Sequence, residues 1–445
     1  MKFLKSIIAF LIVAAIAVAS FGCAGVNNTP TDTPTDTTTE KPVDKPVEDI
    51  KTDLTQGVSA SKAVTEPLSK EDTEALAQLY VKLFKNTLDE NNKSSLISPL
   101  SIITALGMVA DGASEETLAQ FEDFFGLTTE QLDSVIAYYY LLIKQTDSKV
   151  KFDAANSIWV TDSPTFHIKN DYVARVLGAY DPQFYSVDFM NPKTLDAINS
   201  WVSDHTDGMI KKIVDELSPD TVMALINAIV FDAKWANPYD SDYQIYDGKF
   251  TNYAGEAETV QMMRGEEGSY ITLDGAIGFT KAYEGGRFKF VALLPDENVD
   301  IYDFIAGMDG AELLDALRSP TWAKVITRMP KFSYDYELEM SKILCELGLD
   351  YAFDPFGADF SALATEDTGN IYISRVIHKT HIDVDNEGTK AAAVTAVIME
   401  KATSAGPDLE KPIYITLDRP FVYMIIDSEC NLPIFMGVLT EVKGK

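Results

Sequence analysis

Residues 385–403 read Asp-Asn-Glu-Gly-Thr-Lys-Ala-Ala-Ala-Val-Thr-Ala-Val-Ile-Met-Glu-Lys-Ala-Thr. The stretch starts acidic, passes Gly388 and continues in small and β-branched residues, with no proline before Pro407. Alternate residues of a strand share a face, and one such face is uncharged: Thr389, Ala391, Ala393, Thr395, Val397 and Met399. Lys390 and Glu400 lie on the other face. The pattern is typical of a half-buried strand or a short alanine-rich helix, and it also suits a segment that alternates between exposed loop and strand.

The acidic residues Asp383, Asp385 and Glu387, followed by Gly388, resemble the start of a calcium-binding loop. Such a loop needs a bidentate glutamate at its twelfth position. Counted from Asp383, that position holds Val394, so the sequence does not favour calcium. We expect neither a metal site nor a cofactor.

Composition narrows the class of protein. The chain has 445 residues, 46% of them hydrophobic, which suits one large globular domain or a few ordinary ones. Its formal net charge of -31 disfavours nucleic-acid partners, because affinity for nucleic acid comes from clustered lysine and arginine. The same charge repels polyanions and anionic membranes. We see no basic patch in the sequence that suggests heparin binding.

The N-terminus has the pattern of an export signal. Lys2 and Lys5 precede an apolar run at residues 7–18, which is too short to span a bilayer comfortably. We therefore predict a signal peptide at residues 1–22.

A possible lipid attachment site follows the apolar run. Gly22-Cys23 resembles a bacterial lipobox, whose cysteine is lipidated after cleavage. The match is imperfect, because Ser20 stands where a residue such as leucine is usual and Phe21 is bulky. We expect a bacterial cell-surface lipoprotein, extracellular and membrane-anchored only through the lipid on Cys23. Ordinary secretion and a retained anchor are the alternatives.

The segment after the signal differs in composition from the rest of the chain. Residues 23–66 are rich in threonine, proline and acidic residues and cannot bury enough apolar surface to offset the entropy of ordering. We predict a disordered tether there and a folded domain at residues 67–445. Cys345 and Cys430 can pair or remain free thiols.

Within the folded part, helical and strand patterns are mixed. Apolar periodicity and capping residues predict helices at residues 71–91, 99–110, 114–126, 132–144, 170–177, 193–202 and 338–347. Apolar runs bounded by turn residues predict strands at residues 225–231, 289–294, 413–417, 421–426 and 434–439. The elements do not alternate regularly and no long repeat occurs, which favours a single α+β domain.

The sequence lacks the common catalytic motifs. It contains no nucleophile elbow, zinc-protease helix, P-loop, dinucleotide-binding turn or Cys-x-x-Cys pair. His378 and His381 would face opposite sides of a strand, which defeats metal chelation. Carboxylates are so numerous that a glycosidase pair is not excluded, but nothing singles out two of them. We therefore do not expect an enzyme.

Taken together, residues 70–442 resemble the serpin family. The resemblance rests on motifs in the family's order: Ser98-Pro99-Leu100-Ser101-Ile102, Asn199-Ser200-Trp201-Val202, Thr206-Asp207-Gly208-Met209-Ile210, Pro330-Lys331-Phe332, Ala358-Asp359-Phe360-Ser361, Ile377-His378-Lys379-Thr380, Asp418-Arg419-Pro420-Phe421 and Phe435-Met436-Gly437. The buried run at residues 227–235 and the stretch at residues 387–393 also match.

The resemblance implies a fold and a mechanism. The fold has three β-sheets, about nine helices and an exposed reactive loop. A target serine protease attacks the loop and forms an acyl ester, and the freed arm then inserts into the main sheet as a new strand. Because the inward-facing residues of the arm are uncharged, we predict a monomeric inhibitory serpin that forms a covalent complex with serine proteases.

Several residues acquire roles through the resemblance. The hinge of the loop is Glu387, Gly388, Thr389, Ala391, Ala392 and Ala393. The polar cluster beneath the opening sheet, called the shutter, is Ser98, Ser101, Asn227 and His378. Trp235 matches the breach, where insertion begins. Without the resemblance, the polar residues would be read as buried groups that satisfy one another, and Trp235 as core packing.

In serpins, the residue after which the protease cleaves, called the bait residue, lies at a usual spacing from the hinge glycine. By resemblance, that spacing makes Ala402 the bait residue and places the scissile bond between Ala402 and Thr403. A small bait side chain suits proteases with shallow specificity pockets, such as elastase- or subtilisin-like enzymes. Cleavage after Lys401 would suit a trypsin-like target, and cleavage after Met399 is a third alternative for the scissile bond. The rival functions are a non-inhibitory serpin-like binding protein, and a secreted hydrolase or ligand-binding surface lipoprotein.

Overall fold

The computed structural model describes residues 8–14, 52–62, 65, 67–144, 150–218, 221–239, 243–367, 369–389 and 411–442. Several predicted functional residues lie outside these ranges: Cys23, Ala391, Ala392, Ala393, Met399, Lys401, Ala402 and Thr403.

Several of the helices begin at a residue whose side chain caps the first turn. The helices are α1 Lys70–Asn86, α2 Pro99–Ala110, α3 Glu115–Phe125, α4 Thr129–Lys144, α5 Asn170–Tyr180, α6 Pro192–His205, α7 Ile301–Gly307, α8 Gly310–Arg318, α9 Ser341–Leu344 and α10 Asp350–Phe353, with a π turn at Cys345–Leu349. With the π turn joining α9 and α10 into one kinked helix, the described residues contain nine helices. Ser98 caps α2 by accepting the backbone N–H of Ser101, with Pro99 at the first helical position. Every residue of α2 is buried, which makes this helix the centre of the core.

The described strands form three sheets, as predicted. The main sheet contains β1 Ile8–Ala14, β2 Thr52–Asp53, β4 Val150–Thr161, β6 Gln183–Val187, β7 Thr221–Lys234, β13 Phe332–Glu339, β15 Ile371–Val384 and β16 Gly388–Thr389. The second sheet contains β3 Ser95–Ile97, β8 Ile245–Thr251, β9 Ala257–Leu273, β10 Ala276–Ala282, β11 Phe288–Pro295, β12 Thr321–Pro330, β17 Ile413–Thr416, β18 Phe421–Asp427 and β19 Pro433–Leu439. A small third sheet pairs β5 Phe166–Ile168 with β14 Ala364–Glu366.

In the main sheet, β7 and β15 stand apart with a strand position between them. Within the described residues, these two strands hydrogen bond to intervening segments rather than to each other. At one end, β16 is antiparallel to both: Thr389 pairs with Val384 of β15 and with Ala233 of β7. At the other end, β1 is parallel to both. The gap between β7 and β15 is therefore filled at its ends by two short strands from opposite parts of the chain.

Most predicted elements form, with one clear error. The buried strand at residues 225–231 lies inside β7, and the helix predicted from residue 99 ends at residue 110 as expected. The helix predicted at residues 338–347 is wrong at its start, because Leu338 and Glu339 complete β13 by pairing with His378 and Ile377 of β15. The helix begins at Ser341.

Part of the predicted tether contacts the domain. Thr52 and Asp53 pair with Ser186 and Tyr185 of β6, and the Ser61 N–H donates to the Ala174 carbonyl at 2.7 Å. Tethering by residues 23–51 lies outside the described residues and stays a prediction.

Cys345 and Cys430 are free thiols in the structure. Burial raises the pKa of the Cys430 thiol to about 12, so it is protonated and unreactive at neutral pH. In the part of the chain that the structure describes, no helix is both long and apolar enough to cross a membrane.

Candidate functional site

The hinge enters the gap between β7 and β15 at a tight turn. Asp385 organises this turn, because its carboxylate accepts the backbone N–H groups of Glu387 at 2.8 Å and Gly388 at 3.1 Å. The Lys331 ammonium holds the Asn386 amide oxygen at 2.7 Å. These contacts fix the backbone so that Gly388 and Thr389 enter the sheet as β16.

Trp235 packs against the hinge at the end of β7. Its backbone N–H donates to the Glu387 carbonyl at 2.8 Å, and its indole N–H donates to the Asp385 carbonyl at 2.9 Å. The indole stacks on the Tyr283 ring with centroids 4.5 Å apart. The Tyr283 hydroxyl lies 2.6 Å from the Thr389 hydroxyl. The residue predicted at the breach therefore contacts the hinge directly, and Tyr283 connects it to Thr389.

A buried cation lies behind Trp235. The Lys281 ammonium donates to Glu267 at 3.0 Å and to the Asn237 carbonyl at 2.9 Å, and it lies 4.4 Å from the centroid of the Tyr239 ring. Burial raises the pKa of Glu267, while the nearby Lys281 opposes that rise. The ion pair and the ring together hold Lys281 and the Trp235 loop in one arrangement.

Gly388 has no room for a side chain. A Cβ at this position would collide with the Ala233 carbonyl oxygen and lie 2.8 Å from the Lys234 Cα. The position therefore requires glycine because of close backbone approach.

We predict that Gly388→Ala expels β16 from the gap, because the added methyl meets backbone atoms that cannot move without breaking the sheet. Intrinsic tryptophan fluorescence should change as the Trp235 indole, one of four in the chain, loses its bond to the Asp385 carbonyl, and proteases should cut the hinge faster. Gly307→Ala, where a Cβ meets nothing within 4 Å, is the control. A Gly388→Ala protein with unchanged fluorescence and hinge cleavage would contradict this account of the turn.

The predicted shutter residues lie on both sides of the gap. The Ser98 N–H donates to His378 Nε2 at 3.1 Å. Across the gap, the Asn227 amide donates to Asn156 Oδ1 at 2.8 Å. Both His378 and Asn227 pair with Ala14 of β1, so they stand at the same level of the sheet. Ser101 is buried at the start of α2 beside Ser98.

Two buried polar atoms at this level have no hydrogen-bond partner within the described residues: His378 Nδ1 and Asn227 Oδ1. Because Nε2 accepts from Ser98, the proton of neutral His378 sits on Nδ1. The pair therefore offers one donor and one acceptor that a hydroxyl could satisfy together.

Burial lowers the pKa of His378 to about 3. The imidazole is thus neutral in the folded protein at physiological pH. Because the unfolded chain takes up a proton near the ordinary pKa of 6.5, the stability that neutral His378 contributes is complete above that pH. It is lost progressively as the pH falls from 6.5 towards 3.

We predict that His378→Gln makes the free energy of unfolding depend less on pH below neutrality. Between pH 7 and 4.5, the parent should lose roughly 3 kcal/mol more unfolding free energy than the variant. Denaturant titrations of both proteins across this range measure the difference. Parallel curves would mean that His378 does not titrate as a buried neutral group.

The gap continues beyond Thr389 as a small cavity of about 20 Å³. Ile229, Phe231 and Ile382 line it, with Thr389 at its edge. Thr389 itself is 4% exposed, which confirms that its side chain faces inward.

Sequence reasoning missed Tyr283 and Asn156. Tyr283 follows β10 and reaches the hinge only because the second sheet packs against the first. Asn156 is a buried amide in the middle of β4, opposite Asn227 in register. A lone amide in a run of strand-forming residues can indicate a buried functional side chain. Local sequence pattern does not predict the strand at Val150–Thr161, however, so this signal was not available for Asn156.

Comparison with known proteins identifies the family. The family model described as Serpin (serine protease inhibitor) matches residues 74–442. A serpin-like protein of Thermococcus kodakarensis is 29% identical over 83% of this chain and 85% of its own length. Iripin-5 of Ixodes ricinus is 30% identical over 81% of this chain and 92% of its own length.

Solved structures of serpins are similar to this chain in fold. The thermophilic serpin tengpin in its native state is 37% identical, with a TM-score of 0.81 over 88% of this chain and 99% of that one. Tengpin in its latent state gives 35% identity and a TM-score of 0.75, over 85% of this chain and 100% of that one. The chain belongs to the serpin family, and the predicted serpin fold is confirmed.

Proposed function

We propose that this serpin is an inhibitory member that traps serine proteases covalently by inserting its cleaved loop into the main sheet. The observation that carries the proposal is β16: the hinge is already paired with β7 and β15 at one end of the gap between them. The general role of protease inhibition follows from the family. The elastase- or subtilisin-like target and the covalent complex are the specific parts of the proposal.

The register of β16 supports insertion. If the antiparallel pairing of Thr389 with Val384 and Ala233 continues residue by residue, Thr395 meets both His378 and Asn227. Those residues carry the unpartnered donor and acceptor, and a threonine hydroxyl can satisfy both. The uncharged alternate face of the arm thus matches the chemistry of the gap.

The same register supports Ala402 as the bait residue. Continued pairing brings Ala402 opposite Ile371, the first residue of β15, and β15 is 14 residues long. An arm that ends at Ala402 would therefore fill β15 from end to end. Cleavage after Lys401 or Met399 would leave the first positions of β15 without a partner.

Insertion of the arm must lower the free energy if it is to compete with hydrolysis of the acyl ester. About a dozen new ladder bonds at roughly 0.5–1.5 kcal/mol each give about 10 kcal/mol. A single charge on the inward face would cost several kcal/mol when buried without a partner. The inward face is uncharged from Thr389 to Met399 and avoids that cost over this length. Lys401, the next residue on that face, would come opposite the half-buried Tyr372, the second residue of β15.

In the full chain, β1 occupies part of the insertion path. Ile8 pairs with Ile371 and Ala14 with His378, so the arm can fill these positions only after β1 leaves. Removal of a signal peptide at residues 1–22 would achieve this. We therefore propose that the chain beginning at Cys23, as a surface lipoprotein or a secreted protein, is the inhibitory form.

Incubating the chain that begins at Cys23 with pancreatic elastase and with subtilisin tests the proposal. We expect an SDS-stable complex with at least one of them, and a released peptide that begins at Thr403. A peptide with another N-terminus would move the scissile bond to Lys401 or Met399. Cleavage without any stable complex would contradict inhibition and favour a binding role, as in thyroxine-binding globulin, which is 23% identical and shares the fold.

We predict that Thr389→Arg converts the inhibitor into a substrate, because the buried guanidinium would stall insertion until deacylation. Ala392→Arg is the matched control: it adds the same charge on the outward face of the arm, where water can solvate it. The fraction of protease trapped per cleavage should fall at least tenfold for Thr389→Arg and little for Ala392→Arg. Equal trapping by both variants would count against strand insertion.

A further inference from the structure

The second sheet carries a cationic concavity that lies outside the gap between β7 and β15. The concavity has a volume of about 480 Å³ and is formed by β8, β9, β12 and β17. Six residues that line it matter here: Tyr246, Lys249, Arg264, Arg328, Thr416 and Asp418. Its volume falls within the range of small-molecule sites, which is roughly 300–1,000 Å³.

Two arginines face each other in register inside it. Arg264 of β9 and Arg328 of β12 are direct cross-strand partners in an antiparallel pair. Side chains so related lie about 5 Å apart at their Cβ atoms, and like charges at that position destabilise a sheet. Lys249, on β8, adds a third cation to the lining. Lys249 and Arg264 are exposed and Arg328 is half-buried, so water screens part of the repulsion, but the three cations still concentrate positive charge in one place.

The described residues of the chain do not neutralise these cations. Arg328 donates to the Thr416 hydroxyl at 3.3 Å, a neutral partner. Within the described residues, no carboxylate lies at ion-pair distance from Lys249, Arg264 or Arg328. Asp418, the one carboxylate among the lining residues, lies 3.7 Å from Arg419 instead.

Within the described residues, some arginines have carboxylate partners and others, such as Arg318, have none. Arg175 contacts Asp111 and Asp133, and Arg287 contacts Asp427. Arg264 and Arg328 have no such partner although they lie side by side in a concavity, and two adjacent guanidinium groups in a concavity can bind an external anion.

We propose that this concavity binds a small polyvalent oxyanion, such as a diphosphate or a tricarboxylate, between Arg264 and Arg328. Planar guanidinium groups bind carboxylate and phosphate oxygens in pairs, which suits two arginines side by side. Lys249 supplies a further charge, and Tyr246 forms an apolar and hydrogen-bonding rim. A small anion fits better than an acidic protein surface, because the net charge of -31 repels the latter over a larger area. The site does not depend on protease inhibition.

Calorimetric titration of the full chain with sodium pyrophosphate, and separately with citrate, at low ionic strength tests this site. We expect saturable binding with one anion per chain. Arg264→Gln and Arg328→Gln should each weaken it at least tenfold. Lys324→Gln is the control: it removes a cation from β12 that already pairs with Glu266 at 2.9 Å, and it should leave the affinity nearly unchanged.

The thermal midpoint gives an independent reading. Without anion, Arg264→Gln should unfold at the same or a higher temperature than the parent, because like-charge repulsion is relieved. With pyrophosphate, only the parent and Lys324→Gln should gain stability. Three results would overturn the proposal: no saturable binding by the parent, equal binding by all variants, or tighter binding of a polyglutamate peptide than of pyrophosphate. Tighter binding of the polyglutamate peptide would mean that the concavity binds the carboxylates of an acidic protein segment.

Discussion

The unfinished hydrogen-bond ladder between β7 and β15 is the constraint on which the rest of this molecule depends. A buried peptide group that lacks a partner costs about 1–3 kcal/mol, so two central strands that stand apart need a third segment between them. Gly388 and Thr389 supply that segment at one end, and Ile8–Ala14 supplies it at the other. The site is therefore defined by a strand position for which more than one segment of the chain can compete.

The polar groups around that position carry dipoles rather than charges. His378 is held neutral by burial, and Asn227 faces it across the gap. The buried cation near the entrance, Lys281, is neutralised by Glu267. An incoming strand whose inner face is uncharged from Thr389 to Met399 consequently meets no unpaired ion over that length, and a threonine at the level of His378 can complete the hydrogen bonding.

Local signals made much of the fold predictable. The Ser98-Pro99 cap and the apolar run that follows it predict the correct limits of α2. The alternation of residue types after Gly388 predicts that the Thr389 side chain is buried, as it is. Strands with polar interruptions were missed. In β15, Lys379 is buried only because Glu337 of β13 pairs with it at 2.9 Å, which no local pattern reveals.

The parts that sequence reasoning could not reach depend on register between distant strands. Tyr283 contacts the hinge through the packing of two sheets. Arg264 and Arg328 are 64 positions apart and become neighbours only through the pairing of β9 and β12. For this reason a chain that showed no basic patch in its sequence contains one in its structure.

The most direct test of the central claim is the thermal unfolding midpoint of the chain beginning at Cys23, before and after a single cleavage in the reactive loop. If the freed arm completes the ladder between β7 and β15, about 10 kcal/mol of added stability should raise the midpoint by roughly 20 °C. An unchanged or lower midpoint would show that the arm stays outside the sheet, and it would contradict the account.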